Sequence, residues 1–168
     1  VHFEYAHELD APLDAVELAV LTPAMGPMLA KALAPGIESV EIVQHQVEGG
    51  ALVSVLRYQA SEPLAIFKGR TIARDALMWE THQTYRLATH EATWEVLPKE
   101  QYRRFFRASG HYRLTALPDG RTRRTIEGDL LITVPVPMIG SIAERLALTE
   151  IRKTYEAEAD VLRSLAIL

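Results

Sequence analysis

Residues 134–168 read VPVPMIGSIAERLALTEIRKTYEAEADVLRSLAIL. The run opens on a turn punctuated by Pro135, Pro137 and Gly140, and after that holds neither Pro nor Gly. Ser141 and Glu144 have the S-x-x-E spacing of a capping box, in which each side chain satisfies a free backbone N–H of the first helical turn. Leu148, Ile151, Tyr155, Ala159, Leu162 and Ala166 follow at intervals of three and four, so they share one helical face. Glu144, Arg145, Arg152, Lys153, Glu156 and Arg163 lie mostly off that stripe. The pattern predicts a long amphipathic helix whose apolar face needs a partner. Most of the preceding chain alternates like β-strand, so the expected partner is a sheet.

Upstream, His2–Leu9 alternates, with Phe3, Tyr5, His7 and Leu9 on one side of a strand. Asp10-Ala11-Pro12 reads as a helix start, Asp10 as the cap and Pro12 in the first turn, for a helix over Pro12–Leu21. Thr22-Pro23 repeats the signal for a second helix to about Leu33, ended by Ala34-Pro35-Gly36. Ser39–Glu48 and Ala51–Ala60 form a hairpin across Gly49-Gly50, because two glycines supply the positive φ angles of a primed turn. Ser61–Ala76 conflicts with itself and reads as helical turn, bulge or strand edge. Leu77–Arg86 with Thr89–Leu97, and Phe105–Leu117 with Arg121–Val134, complete two more hairpins. Pro98–Arg104 is a polar connection, and Pro118-Asp119-Gly120 is a turn signal with a mechanism. The expected order is β, αα, six strands in a meander, then a long helix, in a single domain over 1–168.

Composition narrows the function. The 168 residues carry a net charge of −4, which argues against nucleic-acid partners. Cysteine is absent, which excludes a disulfide scaffold, thiol catalysis and Cys-ligated metal. No apolar run approaches the length of a membrane span, and the first residues lack the apolar core of a secretory signal. Arginine far outnumbers lysine and alanine is abundant, so the expectation is a bacterial, cytoplasmic protein.

The element order resembles the helix-grip fold of the START-like (SRPBCC) superfamily, typified by the birch pollen allergen. The resemblance covers essentially the whole chain. It is carried by the opening strand followed by Asp10-Ala11-Pro12-Leu13-Asp14-Ala15-Val16, by Trp94-Glu95-Val96-Leu97-Pro98, by Gly128-Asp129-Leu130, and by residues 134–140 before Glu144. These segments look like an uncharacterised bacterial branch of that superfamily; a fainter similarity is to PRELI-type lipid-transfer domains. The resemblance implies an α+β fold, a curved antiparallel seven-stranded sheet wrapped around a long C-terminal helix, with two short helices after the first strand. It also implies a cavity between sheet and helix for a hydrophobic, lipid-like molecule. A polyketide cyclase/aromatase-type enzyme using the same cavity is the second reading, and a protein-interaction domain with a filled pocket the third.

Trp79, Tyr85, Trp94, Phe106, Tyr112 and Tyr155 are the candidate ligand-lining residues, set against ordinary core packing. Acid–base chemistry would fall to Glu80 with His82, or to His111 with Glu127 or Asp129. No histidine pair has helical metal spacing, no metal or other cofactor is expected, and His45, His82 and His111 converge only if three strands bring them together. Arg103, Arg104 and Arg107, with Arg113, Arg121, Arg123 and Arg124, suit anionic headgroups at a membrane surface, or else a solvated hairpin paired to Glu127 and Glu100. Neighbouring strand residues face opposite ways, so Arg123 and Arg124 cannot both meet one ligand. No phosphate loop or nucleophile elbow occurs. Met25-Gly26-Pro27-Met28 is a candidate lip of the pocket.

Overall fold

A computed structural model describes residues 1–61, 74–133 and 140–167 of the chain. Seven strands form one antiparallel sheet: β1 (His2–Leu9), β2 (Ile37–Glu48), β3 (Ala51–Ala60), β4 (Met78–Arg86), β5 (Glu91–Pro98), β6 (Phe106–Ala116) and β7 (Thr122–Ile132). Their order across the sheet is β1-β7-β6-β5-β4-β3-β2, a meander closed at one edge by the first strand. Helices α1 (Leu13–Leu21), α2 (Met25–Leu33) and α3 (Gly140–Ala166) complete the fold, and α3 meets α1, α2, β1 and β7. This is the α+β helix-grip arrangement that the sequence predicts.

Turn chemistry works as expected. Gly49 and Gly50 hold φ of 60° and 74° between β2 and β3, and Gly120 holds 88° between β6 and β7. The helix caps differ. Pro12, not Asp10, occupies the position before α1, without a side-chain capping bond. The second helix begins at Met25, after Ala24, rather than at Thr22-Pro23. Thr22 Oγ1 instead accepts a hydrogen bond from the Ala24 N–H at 3.3 Å, within the break. Helices α1 and α2 meet at 88°, and no single described helix is long and apolar enough to cross a membrane. Of the ambiguous stretch, Arg74–Leu77 is a 3-10 turn, and residues 62–73 lie outside the described residues. The proline-rich turn at 134–139 and the side chain of Ser141 also lie outside them.

Cross-strand register assigns the faces. Leu52↔Tyr85, Tyr85↔Ala92, Ala92↔Tyr112 and Tyr112↔Ile126 form one row on the side that holds the helices. All five side chains are buried. The row beside it is Trp94↔Gly110↔Gly128↔Phe3. Here the Trp94 indole lies across two glycines and reaches Phe3, with ring centroids 5.9 Å apart. A Cβ at Gly128 would stand 2.6 Å from Trp94 Cη2, and one at Gly110 would stand 2.8 Å from Cζ2. Both are closer than carbon atoms tolerate, so this row needs glycine for space, not for backbone freedom. Tyr155 of α3 closes over the indole at 5.8 Å. Gly128→Ala is expected to destabilise the fold by about 1–3 kcal/mol through overpacking, read as a lower midpoint in urea with unchanged slope.

Candidate functional site

The inward residues of β7 are Thr122, Arg124, Ile126, Gly128, Leu130 and Ile132, as their pairing with β6 requires. Arg124 therefore points a guanidinium under the helices and is 2% exposed. Its Nη2 donates to Glu158 Oε2 of α3 at 3.3 Å. Its carbon lies 4.9 Å from the Tyr112 ring centroid and 5.7 Å from that of Tyr155, positions that favour cation–π attraction. Arg124 Nε and Nη1 are buried without a partner among the described residues. Burial pushes the Glu158 carboxyl up, and Arg124 only partly opposes this.

This ion pair borders a cavity of about 50 Å³. Ser54, Gln83 and Tyr112 line it from the sheet, Val20, Met25 and Gly26 from the helix pair, and Leu162 from α3. His45 sits at its edge, a ring nitrogen 2.9 Å from the Leu21 carbonyl. Gln83 Nε2 donates to Tyr112 Oη at 3.1 Å, which leaves the phenol proton available to another acceptor. Burial raises the Tyr58, Tyr112 and Tyr155 phenols above the usual range, so all three remain protonated donors at neutral pH. The volume admits a few water molecules; drug-sized ligands occupy about 300–1,000 Å³.

The candidate aromatics are mostly packed against one another. Tyr85 stacks on Tyr112 at 5.9 Å, and its hydroxyl donates to Glu17 of α1 at 2.6 Å. His90, in the β4–β5 turn, meets the same Glu17 oxygen through Nδ1 at 2.5 Å. Trp94 and Tyr155 belong to the cluster around Phe3, which Phe106 joins from its half-buried position. Trp79 stacks on Tyr58 at 5.6 Å and borders a second cleft of about 260 Å³ with Arg57, Glu80, Lys99 and Arg103. Of the six aromatics, only Tyr112 lines the cavity beside Arg124.

The acid–base candidates stand elsewhere. Glu80 and His82 lie 3.1 Å apart, and Glu127 and His111 2.7 Å apart, as their spacing suggested. Their strand parity is opposite to that of Tyr85, Tyr112 and Ile126, so both pairs face away from the helices. Glu80 is also tied to Arg57 at 2.8 Å. His45 sits against α1, so it does not join His82 and His111. The arginines take other partners than Glu127 and Glu100: Arg107 meets Glu95, Arg113 meets Glu91, and Arg121 and Arg123 share Glu8. Arg103 donates to the Pro98 carbonyl and Arg104 covers the Phe105 ring, while both side chains and Arg107 stay exposed.

Two polar residues of the interior, Glu17 and Glu158, go unnamed in the sequence reading, which places His7 only on a strand face and Arg124 only in an arginine cluster. Each had a signal. Arg124 shares parity with Ile126 and Leu130, and Glu158 lies three after Tyr155 and four before Leu162, inside the apolar stripe. A charge in each apolar register, of opposite sign, marks a buried pair. Glu17 likewise lies four after Leu13 and three before Val20 on α1, and His7 shares the parity of Phe3, Tyr5 and Leu9.

A family model gives the family, and structure comparisons give the fold. A family model described as "Protein of unknown function (DUF2505)" matches residues 4–165. Among curated proteins, none matches the chain. The Zhui aromatase/cyclase from Streptomyces sp. R1128 is similar in structure, with TM-score 0.66 at 17% identity over 99% of this chain and 93% of its own. Norcoclaurine synthase from Thalictrum flavum gives 0.67 at 13% over 99% and 86%. A START superfamily protein from Mycobacterium smegmatis gives 0.59 at 16% over 98% of each chain. At such identities the likeness is one of fold, and the fold is the START-like helix grip.

Two outcomes follow from the buried charges. Arg124→Leu or Glu158→Leu alone is expected to cost about 3–5 kcal/mol, because either leaves an uncompensated buried group. The double variant should lose much less than the sum, as a double-mutant cycle in urea would show. His7 faces Arg124 across β1 and β7, and its buried Nδ1 has no partner among the described residues. Burial, then Arg124 and Arg163, hold its pKa below the ordinary 6.5. The unfolded chain therefore binds a proton that the native state refuses, and stability should fall as pH drops from 6.5 towards the lowered native value. His7→Gln should flatten that part of the curve in melts across the acid range.

Proposed function

The chain is a member of the DUF2505 family, and on that premise we propose that it binds a small hydrophobic molecule between the sheet and α3, with an oxygen-bearing end directed at Arg124. One observation carries this reading: a fully buried guanidinium with two nitrogens, Nε and Nη1, unmatched among the described residues, beside a cavity. Buried donors are satisfied in the great majority of native structures. A carbonyl or carboxylate oxygen entering the cavity would accept from one of these nitrogens, and the Tyr112 phenol supplies a second donor. The apolar part of the guest would lie against Leu52, Leu56 and Leu162.

A guest larger than a few waters requires the cavity to widen. The break between α1 and α2 supplies Thr22, Pro23, Met25 and Gly26 to its wall, and Gly26 lies close against Ile42 of the edge strand β2. Movement of this bent pair is the route of entry that the reading requires. Membrane contact through the exposed Arg103, Arg104 and Arg107 forms no part of it.

The enzyme reading has one observation in its favour. Arg124, Glu158, Tyr112 and His7 bring ionisable groups together under the helices. In that reading Arg124 would hold a carbonyl or enolate oxygen, and Glu158, its carboxyl raised by burial, would exchange a proton with the substrate. Catalysis would rest largely on positioning.

Organic extraction of natively purified protein, followed by mass spectrometry, tests the binding reading. Calorimetry against a panel of aliphatic and aromatic carboxylates and ketones then ranks ligand chemistry. A co-purified or titrated ligand should lose about ten- to a hundredfold in affinity in Arg124→Lys, which keeps the charge but loses the fork. A clean extract, no calorimetric binder, and no thermal shift with any panel member would sink the proposal and leave a packed interaction domain.

A further inference from the structure

On the outward face of the sheet, acidic side chains are generally matched by arginine. Glu8 meets Arg121 and Arg123, Glu41 and Glu80 meet Arg57, Glu91 meets Arg113, and Glu95 meets Arg107. Glu4, Glu127 and Asp129 break this pattern. Glu4 stands directly across from Glu127 in the β1–β7 register, and like charges in that position repel. Among the described residues, no lysine or arginine pairs with any of the three. Glu127 and Asp129 meet imidazoles only: His2 lies 3.5 Å from Glu127 and 3.1 Å from Asp129, and His111 lies 2.7 Å from Glu127.

We propose that His2, Glu4 and Glu127 form a binding site for a divalent transition-metal ion, with Zn²⁺ the best fit. One donor atom from each of the three lies within 4.8 Å of the others. Small rotations of exposed side chains bring such a set to the roughly 2.0–2.2 Å that Zn²⁺ keeps to imidazole nitrogen and carboxylate oxygen. An imidazole with two carboxylates suits a borderline cation better than Mg²⁺ or Ca²⁺, which prefer all-oxygen shells. Glu127 divides its work: Oε2 faces His2 while Oε1 is held by His111. His111 is then a positioning residue that orients the carboxylate, the usual task of groups just outside a metal's own ligands. The ion would offset the Glu4–Glu127 repulsion and join the edge strand β1 to β7. The linear spacing of the histidines hides this site, because its members lie on two strands, β1 and β7, more than a hundred residues apart.

The test uses tag-free, EDTA-treated full chain with ZnCl₂, CoCl₂ and MgCl₂ at constant ionic strength. Zn²⁺ is expected to bind at one per chain in calorimetry. It should also raise Tm by about 5–10 °C when free metal exceeds the dissociation constant about a hundredfold, reversibly with EDTA. Co²⁺ should give a ligand-field absorption that His2→Ala removes. Both His2→Ala and Glu127→Gln should lose binding at least tenfold, while His111→Ala weakens it less. These side chains are outside the core, so melts in EDTA should show all variants folded. No Zn²⁺ binding, equal stabilisation by Mg²⁺, or binding that survives both His2→Ala and Glu127→Gln would each overturn the assignment.

Discussion

The contact on which most of this fold depends is the Trp94 indole lying over Gly110 and Gly128. It ties β5 to β6 and β7 beneath it, to Phe3 of β1 beside it, and to Tyr155 of α3 above it. An aromatic ring gains burial and dispersion only where a surface matches it. Two side chains on β6 and β7 would lift the ring and with it α3. Removing both Cβ atoms lets the helix approach the sheet closely at this row. The sheet closes through β1 at the same row, so the packing that seats the long helix also fixes the first strand against the seventh.

Two inward rows away, past Tyr112 and Ile126, the interior changes character. Arg124 and Glu158 bring opposite charges from β7 and α3 into contact among tyrosine rings. Desolvating two ions is costly, and a pair of apolar residues would often stabilise such a site as well or better. The pair is made by a single bond of 3.3 Å, and two guanidinium nitrogens have no partner among the described residues. A purely structural pair would gain from using them. Their lack of a partner beside a cavity is what turns a packing description into a binding hypothesis.

The architecture was legible because its signals are local. Alternation in His2–Leu9, the glycine pair at 49–50, the Asp119-Gly120 turn and the three-and-four spacing from Leu148 to Ala166 each state their own conformation. The helix starts were less legible: Asp10 and Thr22-Pro23 resemble caps, yet Pro12 and Ala24 precede the helices. The inward aromatic set was legible as a face of β4, since Trp79, Thr81, Gln83 and Tyr85 share parity. Its role was not, because the same alternation describes a pocket lining and a packed core. Glu80, His82 and His111 were attractive as sequence neighbours of carboxylates, but the parity that pairs them also turns them outward.

By itself the sequence determined the order of elements, the turns, the period of each segment and hence which residues share a face. Only the tertiary structure decided which faces meet. Strand pairing joins β1 to β7 across more than a hundred residues, and helix packing sets α3 over Trp94. Neither distance is encoded in any local period. Contacts of this kind arise because burying both surfaces together lowers the free energy, and that depends on shape and charge from the whole chain at once. For this reason the Arg124–Glu158 pair, the small cavity beside it and the His2–Glu4–Glu127 cluster came into view only in three dimensions.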